Sequence, residues 1–255
     1  MTPDKDLFID GRVALITGST TGLGKAIALR LGRAGVTVAL NYANQEARAK
    51  KTLEEFRAEG IQCGLYRASV TNEDAIERLV SAVMSDLGPI DILIPNATCT
   101  QPQKPIDDYS WSDYQRMLDY FLKSPFLLTK AVLDGMKKRR WGRIINIGSE
   151  VFKRGAPNFS AYVSAKGAQE GWTRSMASEL AQWAITVNIV CPGWIPVERH
   201  INDTQESKDQ YLSGVPMQRW GVPTDVASAV AFFAADDAGF ITGQSIQVSG
   251  GVTVG

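Results

Sequence analysis

Residues 13 to 24 read VALITGSTTGLG, a short apolar run followed at once by a turn that is rich in glycine. The run is continuously apolar rather than alternating, which is typical of a strand covered on both faces by helices. An amphipathic helical pattern begins directly after the turn. This order of strand, turn and helix favours a parallel sheet with helices packed against it.

The same alternation of apolar runs and helical patterns continues along the whole chain. The sequence predicts strands at 13–17, 36–40, 61–68, 92–95, 143–147, 186–190 and 245–248. It predicts further helices at 45–59, 72–87, 111–139, 161–181 and 226–235, with Thr71 and Asp74 as a capping box for the helix at 72–87. We therefore predict a doubly wound α/β fold of the Rossmann type, a single domain over residues 1–255 whose seven-stranded parallel sheet carries helices on both faces. Residues 194–222 mix proline, glycine, charged and aromatic residues, and we expect a mobile lid there.

The composition excludes several classes of function. The 255 residues include 27 Lys and Arg against 27 Asp and Glu, so no net charge is available to attract a nucleic acid, and no polybasic run is present to bind a membrane. One histidine and three scattered cysteines do not form the usual ligand patterns of a metal site. The first eleven residues lack the basic and apolar regions of a secretory signal, and unpaired cysteines suit a reducing compartment, so we expect a cytoplasmic protein.

The turn after the first strand is the predicted nucleotide site. Glycines allow the backbone to approach a pyrophosphate, and the N-terminus of the next helix offers free N–H groups to an anion. The alternative is a turn whose glycines serve packing alone. The turn is not a P-loop, because Ala26 follows Lys25 where a serine or threonine would be needed to bind Mg²⁺. The cofactor contacts predicted here are Gly18, Ser19, Thr20, Thr21, Gly22, Leu23 and Gly24.

The end of the second strand bears on the choice of cofactor. A carboxylate there would bind the adenosine ribose and select NAD, but the strand ends in Asn41 and Tyr42. A neutral Asn41 does not repel a 2′-phosphate, and Arg48 is close enough in sequence to reach one. These residues favour NADP(H) over NAD(H), although Arg48 is equally compatible with a solvated position on a helix.

A serine, a tyrosine and a lysine form the candidate catalytic set. Ser149 follows the strand at 143–147, and Tyr162 and Lys166 come next at a spacing of four, which places them one turn apart on one face of a helix. A phenol has a pKa near 10, and a nearby ammonium group favours its anionic form. Tyr162 would then exchange a proton with a carbonyl or alcohol oxygen that Ser149 also holds. A Tyr-x-x-x-Lys pair alone is common on helix surfaces.

Together these features resemble the short-chain dehydrogenase/reductase family over nearly the whole chain, from Gly11 to about Thr253. The resemblance is greatest to the group of 3-oxoacyl-[acyl-carrier-protein] reductases. It implies hydride transfer with NAD(P)(H), a homotetramer built on two long helices and the last strand, and a role for Lys166 in binding the nicotinamide ribose. It is carried by Thr17-Gly-x-x-x-Gly-x-Gly24, Asn96-Ala97, Ser149, Tyr162-x-x-x-Lys166, Pro192-Gly193 and Ile241-Thr242-Gly243-Gln244. The cofactor contacts that the resemblance adds are Ser69, Val70, Asn96, Ala97, Pro192, Gly193 and Ile195.

The chain departs from the family pattern at four places. Pro95 and Thr98 flank Asn96-Ala97, Ser69 replaces an acid that contacts adenine, and Val197 or Pro196 stands where a threonine holds the carboxamide. The fourth departure is Phe121, which occupies the place of a catalytic asparagine. In the family that asparagine acts through its backbone carbonyl, which holds a water molecule in a proton relay to the lysine. Pro125 lies four residues later and has no N–H to donate to the Phe121 carbonyl, so we hypothesise that the proline exposes this oxygen for the same use.

The residues around the catalytic set predict a partly apolar substrate pocket, lined by Thr98, Glu150, Val151, Asn158, Phe159 and Trp194. The predicted function is hydride transfer between nicotinamide and a carbonyl or secondary alcohol, which could be a 3-oxoacyl thioester or a small ketone. The alternative is a protein of the same fold that binds the nucleotide without turnover, as a sensor or scaffold. No nucleic acid, membrane or metal partner is predicted.

Overall fold

The computed structural model describes residues 9–254, so most of the segment that was read for a secretory signal lies outside the described residues. Within this range, seven strands alternate with nine α-helices, and short 3₁₀ turns connect several of them. The strands are β1 (Val13–Ile16), β2 (Thr37–Tyr42), β3 (Cys63–Arg67), β4 (Ile92–Ile94), β5 (Gly142–Ile147), β6 (Ile185–Pro192) and β7 (Ser245–Val248). The helices are α1 (Gly22–Arg33), α2 (Glu46–Ala58), α3 (Glu73–Leu87), α4 (Trp111–Leu118), α5 (Ser124–Arg139), α6 (Val151–Arg154), α7 (Ser160–Leu180), α8 (Gln205–Ser213) and α9 (Pro223–Ala234).

The strands form one parallel sheet in the order β3-β2-β1-β4-β5-β6-β7. The order reverses between β1 and β4, and ligands of open α/β sheets bind at the carboxyl ends of the strands at such a point. The doubly wound fold predicted from the sequence is confirmed. No helix of the described residues is long and apolar enough to cross a bilayer.

Two apolar layers hold the helices on the sheet. One layer packs α1, α2 and α9 on the first face, with Ile27, Phe56 and Phe233 among its fully buried side chains. The second layer packs α3, α5 and α7 on the opposite face. Because the inner strands are covered on both faces, β1, β5 and β6 are buried along their full length, which explains their mostly apolar sequences.

The structure corrects two local predictions. The capping box of Thr71 and Asp74 is wrong, since Asn72 caps α3 by accepting the N–H of Ala75 at 2.8 Å, and the Thr71 hydroxyl instead hydrogen-bonds to Ser69. The single helix predicted over 111–139 is divided by a π-helical turn at Asp119–Lys123, where the Ser124 N–H bonds to the Asp119 carbonyl five residues earlier.

The segment at 194–222, which was predicted as a lid, contains a 3₁₀ turn at Glu198–His200 and the helix α8. Its two ends are joined by aromatic contacts among Trp194, Tyr211 and Trp220, whose ring centroids lie 5.4 to 5.7 Å apart. These contacts bring both ends of the segment to the carboxyl end of β6.

Candidate active site

The glycine turn lies against the loop that follows β4. Gly18 has a φ of +62°, and a Cβ at this position would lie 2.9 Å from the Cα of Ala97. Asn96 fixes the approach of the two loops, because its side-chain amide donates to the carbonyl of Thr17 at 2.9 Å and to that of Gly18 at 3.2 Å. The Thr17 hydroxyl accepts the N–H groups of both Asn96 and Ala97. The glycines here therefore serve a close backbone approach as well as the turn.

Ser19 and Asn41 support the turn from below. The Ser19 hydroxyl donates to the Ile16 carbonyl and accepts the Asn41 N–H. The Asn41 side chain accepts the Gly18 N–H at 3.2 Å and donates to the carbonyls of Tyr66 and Ala68. Asn41 is almost completely buried, so its polar atoms are used within the protein and it shapes the turn. Thr20 is also buried, and its carbonyl accepts the Thr52 hydroxyl of α2.

The N-terminus of α1 fits an anionic group. Thr21 is the N-cap, but its side chain makes no capping hydrogen bond, and its buried hydroxyl has no partner. The first turn, which includes Leu23 and Gly24, contains no acidic residue. The N–H of Gly22 bonds to the carboxylate of Glu198, which comes from the distant 198–200 turn, at 3.1 Å. A cofactor pyrophosphate would accept hydrogen bonds from groups of this kind: the unpartnered Thr21 hydroxyl and the Gly22 N–H, which already donates to a carboxylate.

One cationic side chain, that of Arg67, lies against the end of β2 beside the expected adenosine position. Tyr42 is mostly buried at the strand end, whereas Arg48 is exposed on α2. Arg67, at the end of the neighbouring β3, donates its Nε–H to the Ala43 carbonyl at 3.3 Å. Arg67 was not among the predicted residues, and its pairing register with Tyr42 is what brings it to this position. Beyond β3, Ser69 is exposed and Val70 is buried.

The three predicted catalytic side chains converge at the carboxyl end of β5. Tyr162 and Lys166 lie on α7, and the Lys166 Nζ is 5.6 Å from the centre of the Tyr162 ring. The Ser149 hydroxyl accepts the Val151 N–H at 3.4 Å. Burial, the largest influence, raises the pKa of Tyr162, while the Arg199 guanidinium and the Ser149 hydroxyl oppose that rise.

Lys166 is buried along its whole side chain, including the amine. Its Nζ donates to the Ile147 carbonyl at 2.6 Å and to the Gln169 side-chain oxygen at 3.0 Å, and it lies 3.8 Å from the centre of the Phe121 ring. Burial lowers the pKa of Lys166 to about 7. From the sequence, a full ammonium charge on Lys166 was predicted to lower the pKa of Tyr162. The structure differs because the amine, once desolvated, is only partly protonated at neutral pH.

Phe121 lies within the π-helical turn, beside both partners. Its ring meets the Tyr162 ring edge-on at 5.2 Å and covers Lys166. Pro125, at the start of α5, cannot donate a backbone hydrogen bond, so the Phe121 carbonyl cannot form the usual α-helical bond with residue 125. The chain forms the π turn immediately before this proline.

The predicted pocket residues take different positions. Phe159 packs on the Tyr162 ring at 4.9 Å, and Val151 belongs to the same apolar cluster. Asn158 is exposed at a φ of +58°, and Thr98 is exposed with its hydroxyl donating to the Cys99 carbonyl. Phe159 and Val151 therefore line the apolar wall beside Tyr162.

Glu150 is buried and forms an anchor for the segment at 194–222. The Tyr211 hydroxyl donates to Glu150 at 2.9 Å and accepts the Trp194 N–H at 2.8 Å, and Arg154 pairs with the same carboxylate. Burial raises the pKa of Glu150, and its second oxygen has no partner. Nothing in the sequence pattern pointed to Tyr211, whose role depends on the folded position of α8.

Gly193 directly follows β6 and lies beside Glu150, Tyr211 and Ser249, the residue after β7. A cavity of about 320 Å³ opens beside it, lined by residues of the 194–222 segment and of the end of β7. Pro192, at the end of β6, is buried, as is Ile195, which also lines this cavity. The cavity adjoins Trp194 and does not include Ser149, Tyr162 or Lys166.

The fold and this constellation define a dinucleotide-binding oxidoreductase, and comparisons with known proteins identify its family. A family model described as enoyl-(acyl carrier protein) reductase matches residues 18–253. The chain is similar to 3-oxoacyl-[acyl-carrier-protein] reductase FabG of Staphylococcus epidermidis, with 37% identity over 241 residues that cover 94% of this chain and 98% of the relative. It is also similar to 2-dehydro-3-deoxy-D-gluconate 5-dehydrogenase of Formosa agariphila, with 35% identity over 97% of this chain and 95% of the relative.

A crystal structure from Agrobacterium tumefaciens, assigned provisionally as a gluconate dehydrogenase, superposes with a TM-score of 0.92. The two chains are 32% identical, and the match covers 97% of this chain and 98% of the other. The chain belongs to the short-chain dehydrogenase/reductase family and resembles its 3-oxoacyl-[acyl-carrier-protein] reductases. It is an NAD(P)-dependent oxidoreductase that acts on a carbonyl or alcohol group, as the sequence predicted.

Proposed function

We propose that this enzyme reduces a carbonyl group with Tyr162 as the proton donor. The observation that carries the proposal is the convergence of Tyr162, Ser149 and Lys166 at the strand ends beside the glycine turn. When bound, the nicotinamide cofactor supplies the hydride to the carbonyl carbon. The Ser149 hydroxyl then holds the carbonyl oxygen, and Tyr162 transfers its proton to that oxygen to complete the alcohol.

The environment of Tyr162 supports the reductive direction. A donor must carry its proton when the hydride arrives, and burial raises the pKa of Tyr162 above its ordinary value. The phenol is therefore protonated throughout the neutral range. Oxidation of an alcohol needs the deprotonated phenol and is favoured only at higher pH.

Lys166 and the Phe121 carbonyl complete the proton path in this proposal. Lys166 is held in place by Ile147 and Gln169, and it binds the nicotinamide ribose. Its pKa of about 7 allows it to gain and lose a proton at neutral pH, which suits a relay. The Phe121 carbonyl, denied its α-helical partner by Pro125, holds the water molecule that resupplies this path.

We infer a preference for NADP(H). No carboxylate stands at the end of β2, and Arg48 and Arg67 are cations near the position expected for a 2′-phosphate. Asn41 supports the preference indirectly, as a neutral residue that shapes the turn. The carboxamide side of the cofactor would contact the chain after Pro192.

The names of the relatives support two substrate types, an acyl chain with a 3-oxo group and a keto derivative of a sugar acid. We propose a homotetramer built on α5, α7 and β7, and we place it in the cytoplasm because Cys63, Cys99 and Cys191 are all free thiols.

The test is to follow NADPH and NADH oxidation with 3-oxoacyl thioesters, ketones and quinones, using wild type and Tyr162→Phe. We expect turnover that is faster with NADPH and that falls at least about 100-fold in the variant, since general acid catalysis is worth that much. The affinity for NADPH, measured by fluorescence titration, should be unchanged. Turnover that survives in Tyr162→Phe, or tight cofactor binding with no turnover in wild type, would contradict the proposal.

A further inference from the structure

Gln169 contacts the Lys166 amine directly and lies about one helical turn after that lysine on α7. Its amide oxygen accepts a hydrogen bond from the Lys166 Nζ at 3.0 Å, and the residue is almost completely buried. The Ile147 carbonyl of β5 accepts a second bond from Nζ at 2.6 Å, and the centre of the Phe121 ring lies 3.8 Å from the same atom. Because an ammonium group only donates, the amide must turn its oxygen toward the lysine. Contacts from α7, β5 and the π turn therefore fix the position of the amine.

The attachment of α7 to β5 at this level uses the backbone of Gln169 and not its side chain. The Thr173 hydroxyl donates to the Gln169 backbone carbonyl at 2.8 Å and accepts the side-chain amide of Asn146, on β5, at 2.9 Å. Thr173 and Asn146 are both fully buried. Helix and strand are thus joined without the Gln169 amide oxygen, whose partner is Lys166.

A buried acid directly follows Gln169, but it does not serve Lys166. The Glu170 carboxylate pairs with Arg174 at 2.6 Å and lies 3.9 Å from the Lys153 amine. Among residues 9–254, no carboxylate acts on the Lys166 amine, and its hydrogen-bond acceptors are neutral oxygens. An amine held by neutral acceptors gives up its proton more readily than one held by a carboxylate.

The titratable and charged groups around Lys166 come from four parts of the chain. Burial lowers the pKa of Lys166 to about 7. Cys191 on β6 and Cys99 in the loop after β4 oppose this effect, and Arg199 in the 198–200 turn adds to it. Tyr162 lies on the same helix, with its ring centre 5.6 Å from the amine. None of these groups is a carboxylate, so nothing among them cancels the effect of burial.

We propose that Gln169 is a positioning residue of the proton relay: its amide oxygen holds the Lys166 amine in place and, because it is neutral, leaves the amine able to pass its proton to Tyr162. This inference rests on the proposed function and deepens it, and Gln169 acts through Lys166 alone. A carboxylate at position 169 would keep the proton on the amine. An apolar side chain there would leave the charged amine without one of its acceptors.

The pH dependence of kcat tests the proposal with Gln169→Glu and Gln169→Met. NADPH oxidation is followed with the 3-oxoacyl thioester, ketone or quinone that wild type reduces fastest. In wild type, kcat should fall as the pH rises through the pKa of Lys166, because only the protonated amine can resupply Tyr162. We expect this fall at least about one pH unit higher in Gln169→Glu, whose carboxylate favours the ammonium form, and at lower pH in Gln169→Met.

The same kinetics separate position from binding. At pH 7, kcat of Gln169→Met should be about tenfold below wild type with KM unchanged, since a hydrogen bond to a charged group is worth that much and the substrate does not contact residue 169. Gln182→Glu and Gln182→Met make the same changes at an exposed residue just after α7, and both should keep the wild-type profile. Profiles that coincide for wild type and both Gln169 variants would overturn the proposal.

Urea unfolding gives a readout that needs no substrate. Below pH 7 the buried amine is charged and needs its acceptor, whereas at pH 9 the folded protein holds it neutral. The free energy of unfolding of Gln169→Met minus that of wild type should therefore be more negative at pH 6 than at pH 9. For Gln182→Met this difference should be the same at both pH values.

The two measurements distinguish failure of the proposal from failure of the reductase function. Turnover by wild type together with a Gln169→Met stability difference that is equal at pH 6 and pH 9 would overturn the role of Gln169 and leave the reductase function intact. Absence of all turnover by wild type would refute the reductase function, and with it the relay in which Gln169 is placed. The unfolding data would then report only whether Gln169 holds the charged amine.

Discussion

At the scale of single residues, the unusual feature of the site is Lys166, whose amine is removed from water by the protein itself. Lys166 is 4% exposed, and its polar partners are one backbone carbonyl and one neutral amide oxygen. The face of the Phe121 ring adds a weak attraction for the cation. None of these groups carries a full negative charge, so burial dominates and the pKa of Lys166 falls to about 7.

Replacement of Lys166 by methionine should change the pH dependence of stability. In the unfolded chain the amine has a pKa of 10.5, against about 7 in the folded protein. Below pH 7 it is protonated in both states, so the folded protein bears the full cost of a buried charge. That cost declines as the pH rises from 7 to 10.5, because only the unfolded state then keeps the proton. The unfolding free energy of Lys166→Met minus that of wild type should therefore be more positive at pH 6.5 than at pH 9.5. The expected difference between the two pH values is roughly 2 to 3 kcal/mol.

Urea unfolding at pH 6.5, 8.0 and 9.5 measures this difference. The loss of two hydrogen bonds in Lys166→Met shifts all three values together and leaves their trend unaffected. Lys208→Met, on the surface helix α8, serves as the control and should show no such trend. A constant difference between Lys166→Met and wild type across the three pH values would mean that the buried amine is no harder to charge than an exposed one.

At the scale of elements, the division of the helix at 111–139 links a proline to the chemistry. Pro125→Ala supplies an N–H that the Phe121 carbonyl can accept, which favours a regular α-helix across the π turn. If the free carbonyl holds the relay water, kcat should fall by about tenfold while KM and the cofactor affinity stay the same. The control is Pro223→Ala, since Pro223 also lies in the first turn of a helix, α9. Unchanged kcat in Pro125→Ala would remove the Phe121 carbonyl from the mechanism.

The contact between α1 and the 198–200 turn gives a second prediction at this scale. The Glu198 carboxylate accepts a hydrogen bond from the Gly22 N–H, which is one of the groups that the cofactor pyrophosphate needs. Glu198→Gln removes an anion that competes with the pyrophosphate, so the Kd for NADPH should fall by about threefold to tenfold. Glu206→Gln removes the same charge from α8 and should leave the Kd unchanged. Fluorescence titration measures both, and weaker binding by Glu198→Gln would show that the carboxylate assists the cofactor instead.

At the scale of the whole molecule, local patterns predicted the sheet well because its inner strands, among them β1, β5 and β6, are covered on both faces and are mostly apolar. Side-chain direction was harder to predict. Asn41 was expected to face the cofactor, but it lies under the glycine turn, since the register of β2 against β3 presents its amide to Tyr66 and Ala68. Arg199 and Tyr211 were not predicted from the sequence, for a related reason. They act through contacts across the 194–222 segment, and no spacing in the sequence encodes those contacts.

The number of chains in the assembly is a property of the whole molecule that can be measured directly. β7 is an edge strand of the sheet, and Phe240 just before it is fully exposed, while Phe126 on α5 is 47% exposed. A homotetramer built on β7 and the long helices would cover both aromatic rings, and exposed apolar groups of this kind mark interfaces. Light scattering should give four times the chain mass of 27.8 kDa for wild type. Phe240→Asp and Phe126→Asp should each lower that mass to a dimer by placing a charge in one of two different interfaces. Met84→Asp, on the outer surface of α3, adds the same charge outside both interfaces and should leave the tetramer intact. A wild type that is monomeric at micromolar concentration would show that the Phe240 and Phe126 rings are exposed to solvent and form no subunit interface.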